Sequence, residues 1–434
     1  MTTKITEQNI SNLANAGVQW QAVVTGDTTM VAGRGYFVNT TSGAIAMTLP
    51  SSASIGDTII IKDYTGTFAT NNATITLNGH KLDGETNAAP LATNNSTVEL
   101  IYIDVTEGWR TVESGAVSPT GLAPAYVAAT GGTVVTSGDF KIHTFTSDSN
   151  FVVSNGGNAA GSSAVDYLVV AGGGGGGNSN GGGGGGGAGG FRLSNSTSMP
   201  APTTSPLANP TGVTVSAATY PITVGGGGAG STSSTPGGRG ASGSNSVFST
   251  ITSTGGGRGK GTGGADGDSN GGSGGGGFLG TPHIPSPTGV PAGSGNTPPV
   301  SPSQGNNGGL SQSPYSPGQA AGGGGAGGVG LNSNDPGGLD GRGGPGATTH
   351  ITGSPVVYAG GGGGGARPCG PQTATVPGGG GRGANNSSAP WGNNAYGEDG
   401  TANLGGGGGG SADINSANSG AGGKGIVIIR YKFQ

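Results

Sequence analysis

Eight unbroken glycine runs constrain how the second part of this 434-residue chain can fold. Glycine loses more conformational freedom on ordering than any other residue, so runs of this kind normally behave as flexible linkers. A chain that orders them must offset that cost by pairing each backbone N–H and C=O group. The runs occupy residues 172–177, 181–187, 225–228, 274–277, 322–325, 360–365, 378–381 and 405–410.

Apolar, strand-like segments adjoin several of these runs, which a linker would not require. Residues 167–171, 220–224 and 356–359 lead directly into glycines, and residues 425–434 form a strongly apolar final segment. This final segment must be buried, and its candidate partners are residues 141–146, 151–154 and 166–171. Isolated apolar residues between the runs are suited to sealing the ends of a packed bundle: Phe191, Phe248, Phe278, Leu279 and Leu331.

We therefore predict that the glycine runs form a bundle of extended left-handed helices of the polyproline II type. Such helices have three residues per turn and no internal hydrogen bonds, and without Cβ atoms their N–H groups can reach C=O groups of neighbouring helices. Ordering one residue costs about 1 to 2 kcal/mol, whereas one backbone hydrogen bond returns only about 0.5 to 1.5 kcal/mol. The bundle thus depends on the apolar strands, and we expect deletion of residues 426–433 to unfold the whole region.

The front third of the chain has an ordinary composition. Only 15 of the 104 glycines precede residue 155, and short β-branched and aromatic runs recur there about every ten residues. The dipeptides Asn78-Gly79 and Asp83-Gly84 lie between such runs, and both types readily adopt the positive φ of tight turns. The spacing predicts a small antiparallel sandwich or barrel. We expect an all-β fold, with a small antiparallel β module followed by polyglycine helices framed by β-strands.

Charge and cysteine content narrow the class of protein further. The net charge is -4, and the 16 Lys and Arg residues form no basic run, so no nucleic-acid partner is predicted. Cys369 is the single cysteine, which precludes a disulfide within one chain. The first ten residues are polar and no stretch of eighteen apolar residues occurs, so we expect neither a signal peptide nor membrane insertion.

No sequence pattern predicts catalysis, a cofactor or a metal ion. Residues 255–262 superficially resemble a phosphate-binding loop, but Gly261 stands where Ser or Thr should follow the lysine. Glycoside cleavage needs two carboxylates at a defined distance in space, which a sequence does not reveal. Because Asp and Glu are scarce in the glycine-rich part, we expect a binding protein rather than an enzyme. The histidines lack the spacing of a helix-borne zinc site: His80, His143, His283 and His350.

Short motifs at the ends of the front strands form a recognisable set. They are Thr48-Leu49-Pro50, Gly56-Asp57, Lys62-Asp63-Tyr64, Asn71-Asn72, Asn78-Gly79, Leu82-Asp83-Gly84, Leu100-Ile101-Tyr102 and Gly108-Trp109-Arg110. This set resembles a small β module that recurs in tailed-phage tail fibre proteins. The resemblance covers residues 22–114 and is a pattern of strands and turns without a catalytic signature, and any extracellular β domain is the alternative.

The second part carries a further set of motifs. They are Gly131-Gly132-Thr133, residues 141–146, residues 166–171 running into glycines, and residues 423–431. Over residues 125–434 the chain resembles the glycine-rich domain of phage and marine viral tail proteins, and it is similar in principle to the polyglycine adhesin tip of some T-even-like phages. In that adhesin family the glycine runs form a frame and variable loops contact the host surface. The loops of this chain match nothing known, so the resemblance implies no particular receptor.

The resemblances imply a phage tail fibre or related virion appendage, synthesised in the host cytoplasm. We expect residues 1–21 to attach to other virion tail proteins and the β-rich module of residues 22–118 to act as a spacer. Residues 119–140 supply a linker and first strands, and residues 141–434 form the glycine-rich domain that binds a host-surface glycan or protein. The resemblance also implies a homotrimer. The alternatives are an architectural baseplate or tail protein without receptor contact, and an ice-binding or matrix-forming polyglycine protein.

Exposed aromatic residues on loops are the candidates for receptor binding, because such rings stack on sugars or pack against receptor loops. We predict this role for Trp391, Tyr396, Tyr315 and His283. The alternative for each is that its ring covers the end of the bundle.

Overall fold

Short strands with apolar residues at alternate positions build the first part of the chain. The computed structural model describes residues 18–112, 124–158, 161–179, 181–197, 199, 207–232, 238–262, 269–279, 290–311, 319–333, 341–366, 376–384, 396–412 and 418–434. The chain divides into two compact units, residues 1–125 with 158–161 and residues 126–157 with 162–434. The described residues form strands and extended segments without a helix, so the all-β class is confirmed, and they contain no helix with the length and hydropathy to cross a bilayer.

The described residues of the first unit form two sheets. One has the strand order β1-β3-β5-β8-β9 and the other the order β2-β4-β6-β7, and side chains from both meet in one core that includes the fully buried Phe68 and Trp109. The strands are β1 (Gln19–Trp20), β2 (Thr28–Thr29), β3 (Arg34–Val38), β4 (Ile45–Thr48), β5 (Thr58–Asp63), β6 (Ala73–Thr76), β7 (Ala89–Leu91), β8 (Thr97–Asp104) and β9 (Gly108–Val112).

Strand pairing in this unit differs from the antiparallel module that the sequence predicts. From β1 to β6 the chain alternates between the two sheets, so the pairs β1–β3, β3–β5, β2–β4 and β4–β6 are parallel. Only β5–β8, β8–β9 and β6–β7 are antiparallel. The turns between the early strands carry the chain across to the opposite sheet, whereas a hairpin would return it beside the preceding strand. The result is a mixed two-layer sandwich.

The second unit is built on two larger sheets and a hairpin. The sheets have the orders β10-β13-β18-β19-β20 and β11-β12-β23-β14-β15-β16, with β17 also paired to β14, and β21 pairs with β22. The strands are β10 (Val127–Thr130), β11 (Thr133–Ser137), β12 (Phe140–Phe145), β13 (Ser149–Gly156), β14 (Ala164–Val170), β15 (Phe191–Ser194), β16 (Ala208–Asn209), β17 (Val213–Thr214), β18 (Ala218–Thr223), β19 (Ser246–Phe248), β20 (Ile251–Ser253), β21 (Ala347–Thr349), β22 (Val356–Tyr358) and β23 (Ile426–Lys432).

The final strand, β23, lies between β12 and β14 and is antiparallel to both. Two of its three predicted partner segments, residues 141–146 and 166–171, are thereby confirmed. Residues 151–154 belong to β13 in the opposite sheet, and they meet the final strand across the core, where Phe151 and Val153 pack with its side chains, so this segment is confirmed as a burial partner although it does not pair with β23. Val427, Ile429 and Tyr431 enter the core between the two sheets, which we call the sandwich core. The alternate residues Ile426 and Ile428 enter a second core toward the glycine bundle, the bundle-side core.

A buried carboxylate links β14 to the residues that follow β15. Asp166 is fully buried and accepts hydrogen bonds from Ser194 Oγ at 2.9 Å and from the N–H of Ser196 at 2.7 Å. Its carboxylate also lies 3.9 Å from the Arg430 guanidinium of β23, which stacks on the ring of Phe140. Burial lowers the pKa of Arg430, and the charge of Asp166 opposes that shift. The carboxylate is thus fully engaged in holding three strands together.

His143 lies fully buried on β12 against the sandwich core. Its Nδ1 is 2.7 Å from the carbonyl oxygen of Gly131, which can only accept, so Nδ1 carries the proton. Nε2 therefore accepts from the Tyr431 hydroxyl at 3.0 Å. Burial lowers the pKa of His143, the bond to Gly131 opposes this, and the nearby charge of Lys141 lowers the pKa further.

This neutral histidine makes the second unit sensitive to acid. The unfolded chain has the ordinary histidine pKa of about 6.5, so the stabilisation is complete above that pH and is lost as the pH falls through the lower pKa of the folded state. We expect the melting temperature of the second unit to fall between about pH 7.5 and 5.5. In His143→Gln the fall over this range is smaller, while stability at the higher pH drops by about 1 to 3 kcal/mol. Calorimetric melting at several pH values measures both effects, and parallel pH profiles for the two proteins would contradict the assignment.

The glycine-rich part of the second unit forms extended segments that lie side by side. Within the described ranges we number sixteen of these rods in chain order. They are rod 1 (172–178), rod 2 (183–190), rod 3 (225–231), rod 4 (238–245), rod 5 (254–261), rod 6 (271–279), rod 7 (290–296), rod 8 (304–311), rod 9 (319–326), rod 10 (328–333), rod 11 (341–346), rod 12 (359–366), rod 13 (378–384), rod 14 (396–401), rod 15 (405–412) and rod 16 (418–425).

Rod 1 is surrounded by six other rods. Its C=O groups accept in turn from rods 5, 3 and 15, and the partners repeat every three residues. Three residues per turn is the geometry of the polyproline II type of helix, so the predicted polyglycine II arrangement is confirmed. Its N–H groups donate with the same period to rods 4, 16 and 2 over 2.8–3.1 Å: Gly172 to Ser244, Gly173 to Gly423, Gly174 to Gly187, Gly175 to Ala241, Gly176 to Gly420 and Gly177 to Gly184.

The neighbours of rod 1 are also bonded to one another, in the ring order 4, 3, 16, 15, 2, 5. Rods 4, 16 and 2 accept from rod 1 and rods 3, 15 and 5 donate to it, so donor and acceptor directions alternate around the rod. For example, the C=O of Gly173 accepts from rod 3. Rod 3 lies between rod 4, which accepts from the N–H of Gly172, and rod 16, which accepts from the N–H of Gly173. The acceptor direction of a residue thus lies between its own donor direction and that of the preceding residue.

This close packing explains why the rods are made of glycine. A Cβ atom at Gly175 would lie 2.1 Å from the carbonyl oxygen of Ala229, and one at Gly186 would lie 2.0 Å from that of Gly174. Both obstacles are backbone atoms, so neither can rotate away. The rods can therefore approach closely enough for backbone hydrogen bonds because their residues lack side chains.

Candidate functional site at the distal end of the glycine bundle

One end of the glycine bundle rests on the strands of the second unit. Rod 1 leaves the end of β14, and its first N–H, from Gly172, donates to Ser244, just before β19. Six residues later, about 19 Å along the rod at a rise of about 3.1 Å per residue, Asn178 donates to Gly238 at the start of rod 4. We call this second end, remote from the strands, the distal end.

Many other rods begin or finish at the distal end. Adjacent rod ends are joined there by backbone hydrogen bonds of 2.8–3.2 Å. The donor and acceptor residues of these links are Leu279 and Gly182, Val290 and Ser311 in both directions, Ser333 and Leu310, Ala320 and Gly365, Ala384 and Gly410, Ser419 and Ser231, and Gly397 and Asn418.

Six connecting segments run between rod ends that lie at this one end. Each is flanked on both sides by described residues of the distal end, so the rigid rods fix where all six begin and finish. Loops held by a rigid frame are where binding function concentrates. The segments are residues 233–237, 280–289, 312–318, 334–340, 385–395 and 413–417.

Three of the four predicted binding residues fall within these segments. His283, Tyr315 and Trp391 lie outside the described residues, and their role stays a prediction. The fourth, Tyr396, is the first residue of rod 14, next to the Gly397 link to Asn418, and its side chain is 53% exposed. About half of Tyr396 is thus open to solvent, and its role in binding also stays a prediction.

Buried serines terminate the rods at the distal end, a feature that sequence reasoning missed. The Ser179 hydroxyl donates to the carbonyl oxygen of Leu279 at 3.0 Å, and Ser419 Oγ accepts from the N–H of Ser231 at 2.6 Å. These hydroxyls supply side-chain partners to backbone groups at the ends of the rods. A serine soon after a glycine run is the signal that would have identified them: Ser179, Ser231, Ser311, Ser333 and Ser411 are all buried.

One ion pair between described residues lies near the distal end. Arg382 Nε of rod 13 lies 3.6 Å from the carboxylate of Glu398 on rod 14, and both side chains are partly exposed, so the pair contributes little to stability. Phe278 and Leu279 are buried where rod 6 finishes. Among the described residues, no group of three or more His, Cys, Asp or Glu is placed to hold a metal ion. Of the predicted binding residues, the described Tyr396 offers an exposed aromatic ring at this end.

The fold and the bundle define a class of all-β protein in which strands frame a polyglycine II core. A family model described as glycine-rich domain matches residues 146–432, about two thirds of the chain, and the protein belongs to that family. The match spans the rods and the strands β14 and β23 that frame them. A search of curated proteins gives no match to the chain.

Proposed function

We propose that the protein is a structural component of a tailed-phage virion, a tail fibre or related appendage, and that its distal end binds a glycan or protein of the host surface. The observation that carries this proposal is the gathering of six connecting segments and the exposed Tyr396 at one end of a rigid bundle. Membership of the glycine-rich family is consistent with it. In this proposal the role is binding, without catalysis.

The remaining parts of the chain have supporting roles in this proposal. Residues 1–21 attach to other virion tail proteins, and the β module of residues 22–118 acts as a spacer. The glycine rods fix the two ends of each connecting segment, and a frame that is ordered beforehand loses little entropy when a ligand arrives. The homotrimer implied by the resemblance stays a prediction.

A pair of tyrosine variants tests receptor binding. Tyr396→Ala in the full chain is expected to weaken adsorption to susceptible bacterial cells by about 30-fold, the effect of losing an aromatic hot spot of about 2 kcal/mol. Tyr64→Ala is the matched control, because Tyr64 lies in the first unit and its side chain is equally exposed, at 55% against 53%. Titration of labelled protein onto a panel of bacterial strains gives the affinities.

Two outcomes count against a receptor-binding end. In a second variant, a Gly/Ser segment of equal length replaces residues 385–395. If this variant adsorbs to cells as strongly as the full chain does, the distal end does not bind the host. If the labelled chain binds purified tail particles through its distal end and ignores cells, the architectural alternative is the better description.

A further inference from the structure

Strand β11 forms an open edge of the sheet that contains β23. It pairs with β12 alone, and all of its residues are exposed, including Val134 at 46% and Val135 at 55% on opposite faces of the strand. Sheet edges are usually kept from pairing with other strands by a charged residue, a proline or a bulge. Residues 133–137 contain none of these three features.

The pairing with β12 fixes which backbone groups of β11 point outward. A two-residue turn joins Ser137 to Phe140, so these two residues form a hydrogen-bonded pair. Hydrogen-bonded and non-hydrogen-bonded pairs alternate along antiparallel strands. The N–H and C=O groups of Val134 and Thr136 therefore point away from β12, and among the described residues none of these groups has a hydrogen-bond partner.

The sequence around this edge reads nearly the same in both directions. Similar residues stand at equal distances on either side of Val135: Val134 and Thr136, Thr133 and Ser137, and Gly132 and Gly138. If two copies pair antiparallel with Val135 opposite Val135, β-branched residues lie opposite each other, and then Thr lies opposite Ser. Such cross-strand pairs are favourable. Glycine then lies opposite glycine, so the two ends of the pairing carry no side chains.

The occupant that fits this edge is therefore β11 of a second copy. A two-fold axis at Val135 places Val134 of each copy opposite Thr136 of the other, and every outward N–H and C=O group of these residues gains a partner. The second strand is already ordered by its own β12, so it loses less entropy on binding than a free peptide would.

One loop outside the sheet approaches β11 and does not cover this edge. A Cβ atom at Gly353, between β21 and β22, would lie 2.8 Å from Ser137 Oγ. The side chain of Ser137 stands on a face of the strand, so this contact lies out of the plane in which a further strand would pair. Ser137 is exposed despite it.

We propose that two copies of the protein associate through β11, paired antiparallel about a two-fold axis at Val135, so that the sheet continues from one copy into the other. One short strand from each copy buries less than the roughly 1,600 Å² of a standard interface, so the association is weak and depends on concentration. The contact can join two single chains or two larger assemblies. It does not depend on what the distal end binds.

Opposite charges at position 135 test the two-fold register. In Val135→Lys, and equally in Val135→Glu, like charges lie directly opposite each other across the axis and repel. Light scattering of concentrated full-length protein is expected to give half the mass of the parent for each variant. An equimolar mixture places lysine opposite glutamate and is expected to restore the parent mass.

Val152→Lys is the matched control for these variants. Val152 is also an exposed valine, but it lies on β13, which is paired on both sides. This substitution is expected to keep the mass of the parent. Unchanged circular-dichroism spectra show that all of the charged variants fold.

Hydrogen exchange measures the same contact at the backbone. In concentrated parent protein the amides of Val134 and Thr136 are expected to exchange slowly. In Val135→Lys they exchange as rapidly as free amides, while the amide of residue 135 stays protected by β12.

Three results overturn the proposal. The first is a parent mass equal to that of both charged variants, and the second is a mixture of the two that does not regain the parent mass. The third is protection of the Val134 and Thr136 amides only after purified tail particles are added, which assigns the edge to a different protein.

Discussion

A chain that lacks residues 426–434 is expected to lose cooperative unfolding of the second unit, while the first unit melts as before. The missing strand β23 is central in its sheet and supplies five buried apolar side chains to two cores. Burying one such side chain contributes about 1.5 to 3 kcal/mol, so the loss is on the order of 10 kcal/mol against a usual net stability of about 5 to 15 kcal/mol. Scanning calorimetry of the truncated and full chains measures the two transitions separately.

Point substitutions show whether both cores contribute to the loss of stability of the second unit. Ile428→Ala, which empties part of the bundle-side core, and Ile429→Ala, which empties part of the sandwich core, are each expected to cost about 2 to 5 kcal/mol. Val135→Ala on β11 is a control, because that side chain is 55% exposed and its loss changes stability by only about 0.5 kcal/mol or less. A truncated chain whose second unit still unfolds cooperatively would contradict this account of β23.

The polyglycine II bundle could be predicted because its physics is general. Glycine runs that are ordered must offset their loss of conformational entropy, and hydrogen bonds between the backbones of extended helices are the means they have. The three-residue period follows from the geometry of such helices. The partners of each rod could not be predicted. One glycine run carries the same chemistry as another, so the sequence of rod 1 holds no information that selects rods 4, 16 and 2 over the rest.

For the strands, too, the sequence predicts some features and not others. Alternating apolar residues predict where strands lie, and the turns at Asn78-Gly79 and Asp83-Gly84 have the expected positive φ, from 47° to 88°. The same alternation does not record which of two sheets a strand joins, so the parallel pairs of the first unit were not foreseen. That so many rod ends lie at the distal end follows from rod length and direction, which no local pattern encodes.

Gly175→Ala is expected to destabilise the second unit by about 3 kcal/mol or more, although the change adds a single methyl group. The new Cβ would lie 2.1 Å from the carbonyl oxygen of Ala229 and 2.5 Å from its carbonyl carbon. Rod 3 would have to move outward, which stretches the bonds that Gly228 and Ser231 make to rod 1. The midpoint of thermal or denaturant unfolding of the second unit measures the effect.

Gly226→Ala is the matched control, since it adds the same methyl group to a rod of the same bundle where nothing lies within 4 Å. The methyl stands on the same side of rod 3 as that of Ala229, so no contact has to give way. The substitution also reduces the freedom of the unfolded chain, and we expect it to be neutral or to stabilise by about 0.4 to 1 kcal/mol. If the two variants unfolded at the same midpoint, the rods would not be packed backbone against backbone, because only that packing makes one methyl group costly and the other harmless.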